Sequence, residues 1–178
     1  MQAALSRHTL ATARLGADRA AAELWLAADG LGPRALQRWA TGLGLRHWLR
    51  QGGGGLGCRL QRQLQRAFAA GAERVVLIGS DLPQLEAGDL ERAFQALEQG
   101  PLVLGPAADG GYWLIGLQRS AFQRAGARFT AGIPWGGPAV LASTLEQAAA
   151  LGLEPQLLRR QGDLDQRVDL APWRGGRR

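Results

Sequence analysis

Short runs of consecutive apolar residues are the feature of this sequence that most restricts its fold. The clearest is the Val-Val-Leu-Ile run at 75–78, and similar runs stand at 24–28, 102–104 and 112–115. A strand that is apolar at every position has both faces covered, which is typical of a parallel or mixed sheet between layers of helices. These runs therefore predict the strands of a mostly parallel α/β sheet, with a less certain strand at 45–51.

Segments with helical periodicity lie between the predicted strands. A weak pattern over 1–22 predicts a helix ahead of the first strand, and Gly71, Gly100 and Gly152 mark later helix ends. This alternation predicts a single three-layer α/β/α domain over 1–173, followed by a basic tail over 174–178. Three sets of apolar residues repeat every three or four positions and define helix faces: Leu60, Leu64, Ala67 and Phe68; Leu90, Ala93, Phe94 and Leu97; Leu141, Thr144, Leu145 and Ala148.

The composition excludes several classes of function. All 21 basic residues are Arg, and although the net charge is +6, the charge is dispersed and three Arg lie in the tail. We therefore predict no nucleic-acid partner. No apolar run is long enough to span a membrane and no leader pattern opens the chain, which predicts a cytoplasmic protein without a membrane partner. The single cysteine, Cys58, excludes an intramolecular disulfide framework.

Two aspartates follow predicted strands, where ligands of open α/β sheets gather. Asp81 comes after Gly79 and Ser80, two small residues that let a ligand approach the backbone, and Pro83 then turns the chain away. A carboxylate there suits a divalent cation that bridges phosphate oxygens, although a turn or helix-capping role is the alternative. Asp109 stands before two glycines in a loop between strands, where it is either a site residue or only a turn residue.

Two further segments are weaker candidates. Asp163 and Asp165 alternate in an extended segment, so they project to one side and could complete a metal site with Asp81, or lie on a solvated surface. The glycine-rich loop at 52–57 leads into a helix, a setting that can bind phosphate, but it lacks the Lys and the Ser or Thr of a P-loop.

Taken together, these motifs resemble a bacterial glycosyltransferase-A-like family, of the type described as rSAM/selenodomain-associated transferase. The resemblance covers about residues 20–170. It is carried by the Val-Leu-Ile-Gly-Ser-Asp-Leu-Pro run at 76–83, the Gly-Pro-Ala-Ala-Asp-Gly-Gly-Tyr run at 105–112, the Gly-Ile-Pro-Trp run at 132–135 and the Asp-Leu-Asp segment at 163–165. The broader relatives of this family are nucleotide-sugar transferases and nucleotidyltransferases.

The resemblance implies a nucleotide-diphospho-sugar transferase fold and roles for particular residues. Asp81 matches the metal-binding Asp after the central strand, with Asp163 or Asp165 as the second carboxylate for Mg²⁺ or Mn²⁺. The loop with Asp109 lines the acceptor or sugar side, and the donor is a nucleotide-sugar or other activated nucleotide. The implied catalytic residues are Asp81 and Asp109, and the candidate substrate-binding residues are Gln51, Gly57, Gly79, Ser80, Pro83, Gly105, Pro106, Gly110, Gly111, Tyr112 and Trp135.

The sequence also departs from the family pattern. Family members begin with a strand and a basic glycine loop for the nucleotide phosphates, and this sequence has neither that run nor any Lys. Because the family places this strand inside the sheet, its absence would leave its two neighbours unpaired or pairing directly. Such a gap in the sheet would favour a homodimer.

Three hypotheses about function follow. The first is a metal-dependent transferase of glycosyl or related groups, in which Asp109 orients an acceptor hydroxyl or acts as base. The second is a nucleotidyltransferase of the same fold. The third is a truncated, non-catalytic relative that works by binding, or a gene whose start lies upstream of Met1.

Overall fold

The computed structural model describes residues 2–162, in which helices and strands alternate as the sequence predicts. The helices are α1 (Gln2–Arg19), α2 (Pro33–Gly42), α3 (Leu56–Ala69), α4 (Ala87–Gln99), α5 (Arg119–Ala125) and α6 (Val140–Ala150), with a short 3-10 helix at Gly126–Phe129. The strands are β1 (Trp25–Ala28), β2 (His47–Arg50), β3 (Arg74–Ile78), β4 (Leu102–Pro106), β5 (Tyr112–Gln118) and β6 (Pro155–Leu157).

The strands form two sheets, and the larger one is mixed. β1 and β2 pair in parallel, while the larger sheet has the order β3-β5-β4-β6. Here β4 pairs in parallel with β6, and β5 runs antiparallel to both β3 and β4. The strands β3, β4 and β6 therefore run in the same direction, as the predicted mostly parallel sheet requires, and β5 runs in the opposite direction. The reason is the short connection at 107–111, because a parallel crossover needs a dozen or more residues.

Helices cover both faces of the larger sheet, which confirms the predicted three-layer α/β/α class. On one face, side chains of α3, α5 and α6 pack against Leu102, Leu104 and Leu117. On the other face, α1 and α4 pack against Val103 and Leu114. Neighbouring residues of β4 thus enter opposite cores, as strand geometry requires. A third, smaller core joins α2 to β1 and β2.

A discontinuity separates β1 from β3. Within residues 2–162, β1 pairs only with β2 and β3 pairs only with β5. Within the described residues, β1 and β3 therefore do not pair with each other. The burial pattern agrees, since Val76, Leu77 and Ile78 are only half-buried while every residue of β4 is buried.

Asp89 ties α4 to the chain segment that follows β6. Its fully buried carboxylate accepts hydrogen bonds from Arg159 Nε (2.8 Å), Arg159 Nη2 (2.7 Å), Arg92 Nη2 (2.6 Å), the Glu86 backbone N–H (3.0 Å) and Gln161 Nε2 (3.2 Å). Burial alone would raise the pKa of Asp89, but the hydrogen bonds from Arg159, Glu86 and Arg92 outweigh burial and hold that pKa below its ordinary value of 3.8.

The described residues test the prediction on membrane spans but not the predictions on the C-terminal residues. Within residues 2–162, no helix combines the length and the hydropathy that a membrane span requires. The tail at 174–178 and the aspartates Asp163 and Asp165 lie outside the described residues, so their predicted roles stay predictions.

Replacing Asp89 with Asn should lower the free energy of unfolding by about 2 kcal/mol, because two arginines lose a charged acceptor. The loss should stay below the roughly 3–5 kcal/mol of a fully buried pair, since Arg159 and Arg92 reach water. Urea unfolding of the wild type and the variant measures this change in the free energy of unfolding. The matched control is Glu98→Gln, which removes a surface ion pair with Arg74 and should cost less than about 1 kcal/mol. If Asp89→Asn lowers the free energy of unfolding no more than Glu98→Gln does, the stabilising role of the Asp89 carboxylate is contradicted.

The lowered pKa of Asp89 also predicts a pH dependence. The folded state favours the ionised carboxylate, so its contribution to stability is present above the ordinary pKa of 3.8 and is lost as the pH falls through the folded value. The stability difference between wild type and Asp89→Asn should therefore narrow as the pH is lowered from about 6 to about 3. Urea unfolding at each pH measures the difference, and a constant difference over this range would argue against the predicted shift.

Candidate functional site

A cavity of about 970 Å³ opens where β1 and β3 end. Residues 26–29 line one side and residues 77–80 the other, and the start of β5 and the loop at 135–138 complete the wall. This volume lies at the upper end of the roughly 300–1,000 Å³ of small-molecule pockets. The fold brings seven predicted site residues together on this cavity: Gln51, Gly79, Ser80, Asp109, Gly111, Tyr112 and Trp135.

Asp81 lies at the rim of the cavity. Its exposed carboxylate accepts hydrogen bonds from Ser6 Oγ (3.2 Å) and Ser80 Oγ (3.3 Å), and both serines line the cavity. Thr9 of α1 fixes the loop from the other side, because its Oγ1 accepts a 3.0 Å hydrogen bond from the Leu82 backbone N–H. The start of α1 therefore holds the Asp81 loop in place.

Asp109 lies in the tight connection between β4 and β5. Its Oδ1 accepts a 2.8 Å hydrogen bond from the Gly111 backbone N–H, and Gly110 has a φ of +87° that only glycine adopts easily. The Gly110 carbonyl in turn accepts a 2.8 Å hydrogen bond from the Leu141 backbone N–H at the start of α6. Asp109 is thus both the turn residue and a cavity-lining carboxylate, so the two predicted roles coexist.

Two aromatic residues form one wall. Tyr112 and Trp135 pack edge to face, with 6.1 Å between ring centroids and an interplanar angle of 81°. Burial raises the pKa of the Tyr112 hydroxyl well above its ordinary value, so this group stays neutral and does not act as a base near neutral pH. Trp135 donates from Nε1 to the Thr130 carbonyl (3.3 Å), which fixes its ring plane.

The glycine-rich loop is fixed by arginines of α3. Arg59 donates from Nε to the Gly54 carbonyl (2.9 Å), and Arg62 donates from Nη2 to the Gly53 carbonyl (3.0 Å). Arg59 also forms a 2.8 Å ion pair with Asp29, which lines the cavity beyond the end of β1. These arginines therefore hold the loop in place, and Arg59 is already paired with a carboxylate of the cavity wall.

Gln51 connects the glycine-rich loop to β1. Its side-chain Nε2 donates to the Ala27 carbonyl (3.1 Å), and its backbone N–H donates to the Ala28 carbonyl (2.8 Å). Its own carbonyl accepts from Arg62 Nη1 (2.5 Å) and Gln63 Nε2 (3.1 Å). Gln51 therefore lines the cavity while its side-chain NH₂ group donates to β1. Its side-chain oxygen faces Arg59 as a hydrogen-bond acceptor.

Five predicted substrate-binding residues are placed around the cavity without lining it. Gly57 and Gly105 are packed under indole rings, since a Cβ at Gly57 would lie 2.4 Å from Trp135 Nε1 and one at Gly105 would lie 2.5 Å from Trp113 Cε2. Their role is to let the rings approach. The remaining three are Pro83 in the loop after Asp81, Pro106 buried at the end of β4, and Gly110 in the turn.

Three of the polar or aromatic cavity residues that the sequence interpretation missed are Asp29, Ser6 and Trp39. Asp29 follows the end of β1 directly, and Asp81 lies three residues beyond the end of β3, so the position of Asp29 at a strand end was a usable signal. Ser6 and Trp39 gave no such signal, because they lie within α1 and α2 and reach the cavity only through packing.

The residues around Asp81 fit a magnesium or manganese ion in one particular mode. Within residues 2–162 no three acidic, histidine or cysteine side chains come together, so an all-protein cage is absent from this part of the chain. Mg²⁺, however, is usually held by one or two carboxylates, with waters and substrate phosphates as its other ligands. An exposed carboxylate with two hydroxyl oxygens beside it supplies that kind of oxygen ligand.

The fold and this site define the class to which the chain belongs. A crystal structure described as a "putative nucleotide-diphospho-sugar transferase" from Desulfovibrio desulfuricans G20 matches it with a TM-score of 0.82 and 32% identity, over 93% of this chain and 71% of that one. A second structure, CMP:2-keto-3-deoxy-manno-octonic acid synthetase complexed with CTP, matches with a TM-score of 0.53 and 14% identity, over 85% of this chain and 79% of that one, which shows a shared fold.

The chain thus has the nucleotide-diphospho-sugar transferase fold that the resemblance of its motifs implies. It belongs to the family described as "Uncharacterized protein conserved in bacteria (DUF2064)", which matches residues 12–137. A search of curated proteins finds no match.

The packing of Trp135 on Gly57 yields a prediction. Alanine is ordinarily better than glycine in a helix by about 1 kcal/mol, but a Cβ here overlaps the indole, and overpacking costs about 1–3 kcal/mol. Gly57→Ala should therefore destabilise the protein and shift the Trp135 indole N–H signal in NMR spectra. Gly53→Ala is the control, because nothing lies within 4 Å of its Cβ. A Gly57→Ala variant that is more stable than the wild type and has an unchanged indole signal would contradict the close contact between Trp135 and Gly57.

Proposed function

We propose that this protein transfers a glycosyl or related group from a nucleotide-activated sugar, as a member of the rSAM/selenodomain-associated type of transferase. The observation that carries the proposal is the cavity at the carboxyl ends of the strands: Asp109 lines it together with the aromatic pair of Tyr112 and Trp135, and the Asp81 carboxylate contacts two serines of its wall. Strand ends are where open α/β folds bind ligands, and apolar walls with a few polar groups are typical of such sites.

In this proposal the two carboxylates have different tasks. Asp81 is assigned to the diphosphate of the nucleotide donor, because Thr9 fixes its loop and its neighbours are hydroxyl donors. Asp109 lies on a turn that the hydrogen bond from the Gly111 N–H fixes, and it accepts the proton of the attacking hydroxyl or orients that hydroxyl. The neutral Tyr112 and the indole of Trp135 exclude water from one side of the reacting groups.

A divalent cation is part of the same proposal. Mg²⁺ or Mn²⁺ would be held by Asp81, with Asp163 or Asp165 as the second carboxylate, and it would neutralise the charge that develops on the leaving diphosphate. The chain's own contribution is to fix Asp81 through Ser6 and Ser80. Since the chain contains no Lys, other cationic help must come from Arg.

Calorimetric titration with UDP-glucose and GDP-mannose, with and without MnCl₂, tests the proposal. At least one donor should bind only when Mn²⁺ is present. Asp81→Asn should weaken that binding about tenfold or more, since it removes the carboxylate that faces the cation. Asp109→Asn should leave donor binding within about threefold but should slow transfer by about a hundredfold or more, as expected for loss of a catalytic base.

Asp18→Asn is the matched control, because this exposed residue lies more than three helical turns along α1 from Ser6. It should change neither binding nor transfer. Absence of binding heat for every donor would contradict the proposal. Release of pyrophosphate from a nucleoside triphosphate would instead identify a nucleotidyltransferase, and donor binding without turnover would identify a binding protein.

A further inference from the structure

The segment that follows β6 runs beside the loop that carries Asp109. We refer to residues 158–162 of this segment as the strap. The Gln161 backbone N–H donates to the Pro106 carbonyl at the end of β4 (3.0 Å). A parallel bridge between Ala107 and Gln161 extends this pairing to the first residue of the connection between β4 and β5. The strap therefore borders the cavity loop at its β4 end.

Successive side chains of the strap reach opposite sides, as in an extended segment. Arg159 and Gln161 donate to the buried Asp89 carboxylate of α4, over 2.7 Å from Arg159 Nη2 and 3.2 Å from Gln161 Nε2. Arg160 lies between them in sequence and reaches the other way, to the loop at 107–111. The hydrogen bonds to Asp89 therefore anchor the strap and determine on which side of it Arg160 lies.

Arg160 holds two carbonyl groups directly ahead of Asp109. Its Nε donates to the Ala107 carbonyl and its Nη2 donates to the Ala108 carbonyl, both over 3.2 Å. Among residues 2–162, no carboxylate forms an ion pair with Arg160. The planar fork of its guanidinium is therefore directed at this loop.

The loop is held from a second direction behind Asp109. The Gly110 carbonyl accepts a 2.8 Å hydrogen bond from the Leu141 N–H of α6. The Asp109 side chain in turn depends on the loop, because its Oδ1 accepts a hydrogen bond from the Gly111 N–H (2.8 Å). Arg160 thus fixes the backbone ahead of the carboxylate, while α6 fixes the backbone behind it.

We propose that Arg160 is a positioning residue for Asp109, which acts through the loop and sets where the Asp109 carboxylate stands on the cavity wall. Displacing a reacting group by about 1 Å can cost about a hundredfold in rate, so two hydrogen bonds to the adjacent backbone are enough to affect transfer. Arg suits this task better than Lys, because its fork meets two carbonyls at once whereas an ammonium is a point charge. This inference rests on the proposed function, in which Asp109 handles the acceptor hydroxyl.

Steady-state kinetics with the donor that binds in calorimetry tests this role. Arg160→Ala should lower kcat about tenfold or more and leave the donor KM within about threefold, because the Asp109 carboxylate moves while the donor contacts stay. Arg160→Lys should recover only part of the lost kcat. Arg124→Ala, at an exposed arginine of α5, is the matched control and should change neither quantity. Should Arg160→Ala fail to fold, Arg160→Lys replaces it in each comparison with wild type.

A double-mutant cycle shows whether Arg160 acts through Asp109. In the Asp109→Asn background, Arg160→Ala should change kcat by less than about twofold, since the carboxylate that it positions is already gone. An equal loss of kcat in both backgrounds would overturn the proposal. A raised donor KM with an unchanged kcat would also overturn it, because Arg160 would then be a substrate-binding residue. Full recovery of kcat by Arg160→Lys would do the same, since the charge rather than the fork would then matter.

Amide hydrogen exchange measured by NMR tests the contact without any substrate. In Arg160→Ala the Gly111 amide should exchange about tenfold or more faster, because the loop that presents Asp109 to it opens more often, while the Leu114 amide of β5 stays unchanged. Wild-type exchange at Gly111 in this variant would overturn the proposal even where transfer is slowed. If no donor is turned over, the proposed function fails, and the Gly111 amide alone decides whether Arg160 fixes this loop.

Discussion

The pairing of β5 with both β3 and β4 is the interaction on which the rest of the structure depends. β5 runs antiparallel between them, and its register places Leu114 opposite Ile78 and Tyr112 opposite Pro106. Five consecutive buried residues anchor it, each worth about 1.5–3 kcal/mol where a large apolar side chain is buried. Gly116 lets the strands and α4 close around this core, because a Cβ there would lie 2.7 Å from Val103 Cγ1.

This register also builds the site. Because an antiparallel strand begins where its neighbours end, the connection from β4 to β5 lies at the same edge of the sheet as the residues that follow β3. Asp109 and Tyr112 are therefore delivered next to Gly79 and Ser80. The Gly110 carbonyl then receives the Leu141 N–H and so fixes the start of α6, just beyond the loop that carries Trp135. The site is a product of strand pairing and does not depend on a contiguous motif.

The sequence predicts a large part of this arrangement for a physical reason. Buried strands need apolar residues on both faces, so the run at 75–78 predicts a strand, and the glycines at 71 and 100 predict helix ends. The direction of β5 does not follow from its apolar pattern, which is the same for a buried parallel and a buried antiparallel strand, but it does follow from the connection at 107–111, which is too short for a parallel crossover. The packing roles of Gly57 and Gly105 under indole rings were hidden, since each depends on a residue distant in sequence or on the opposite strand.

The chemistry of the cavity wall changes from its mouth to its inner part. Toward the mouth the wall carries polar side chains, such as Asp29, Ser80 and Asp109, whereas between β1 and β3 it offers apolar side chains such as Leu26 and Leu77. A few polar groups at one place are what a small ligand requires, so the mouth is the part of the cavity that suits the reaction proposed for the site. Ser6 contacts the Asp81 carboxylate, so the start of α1 belongs to this side of the wall.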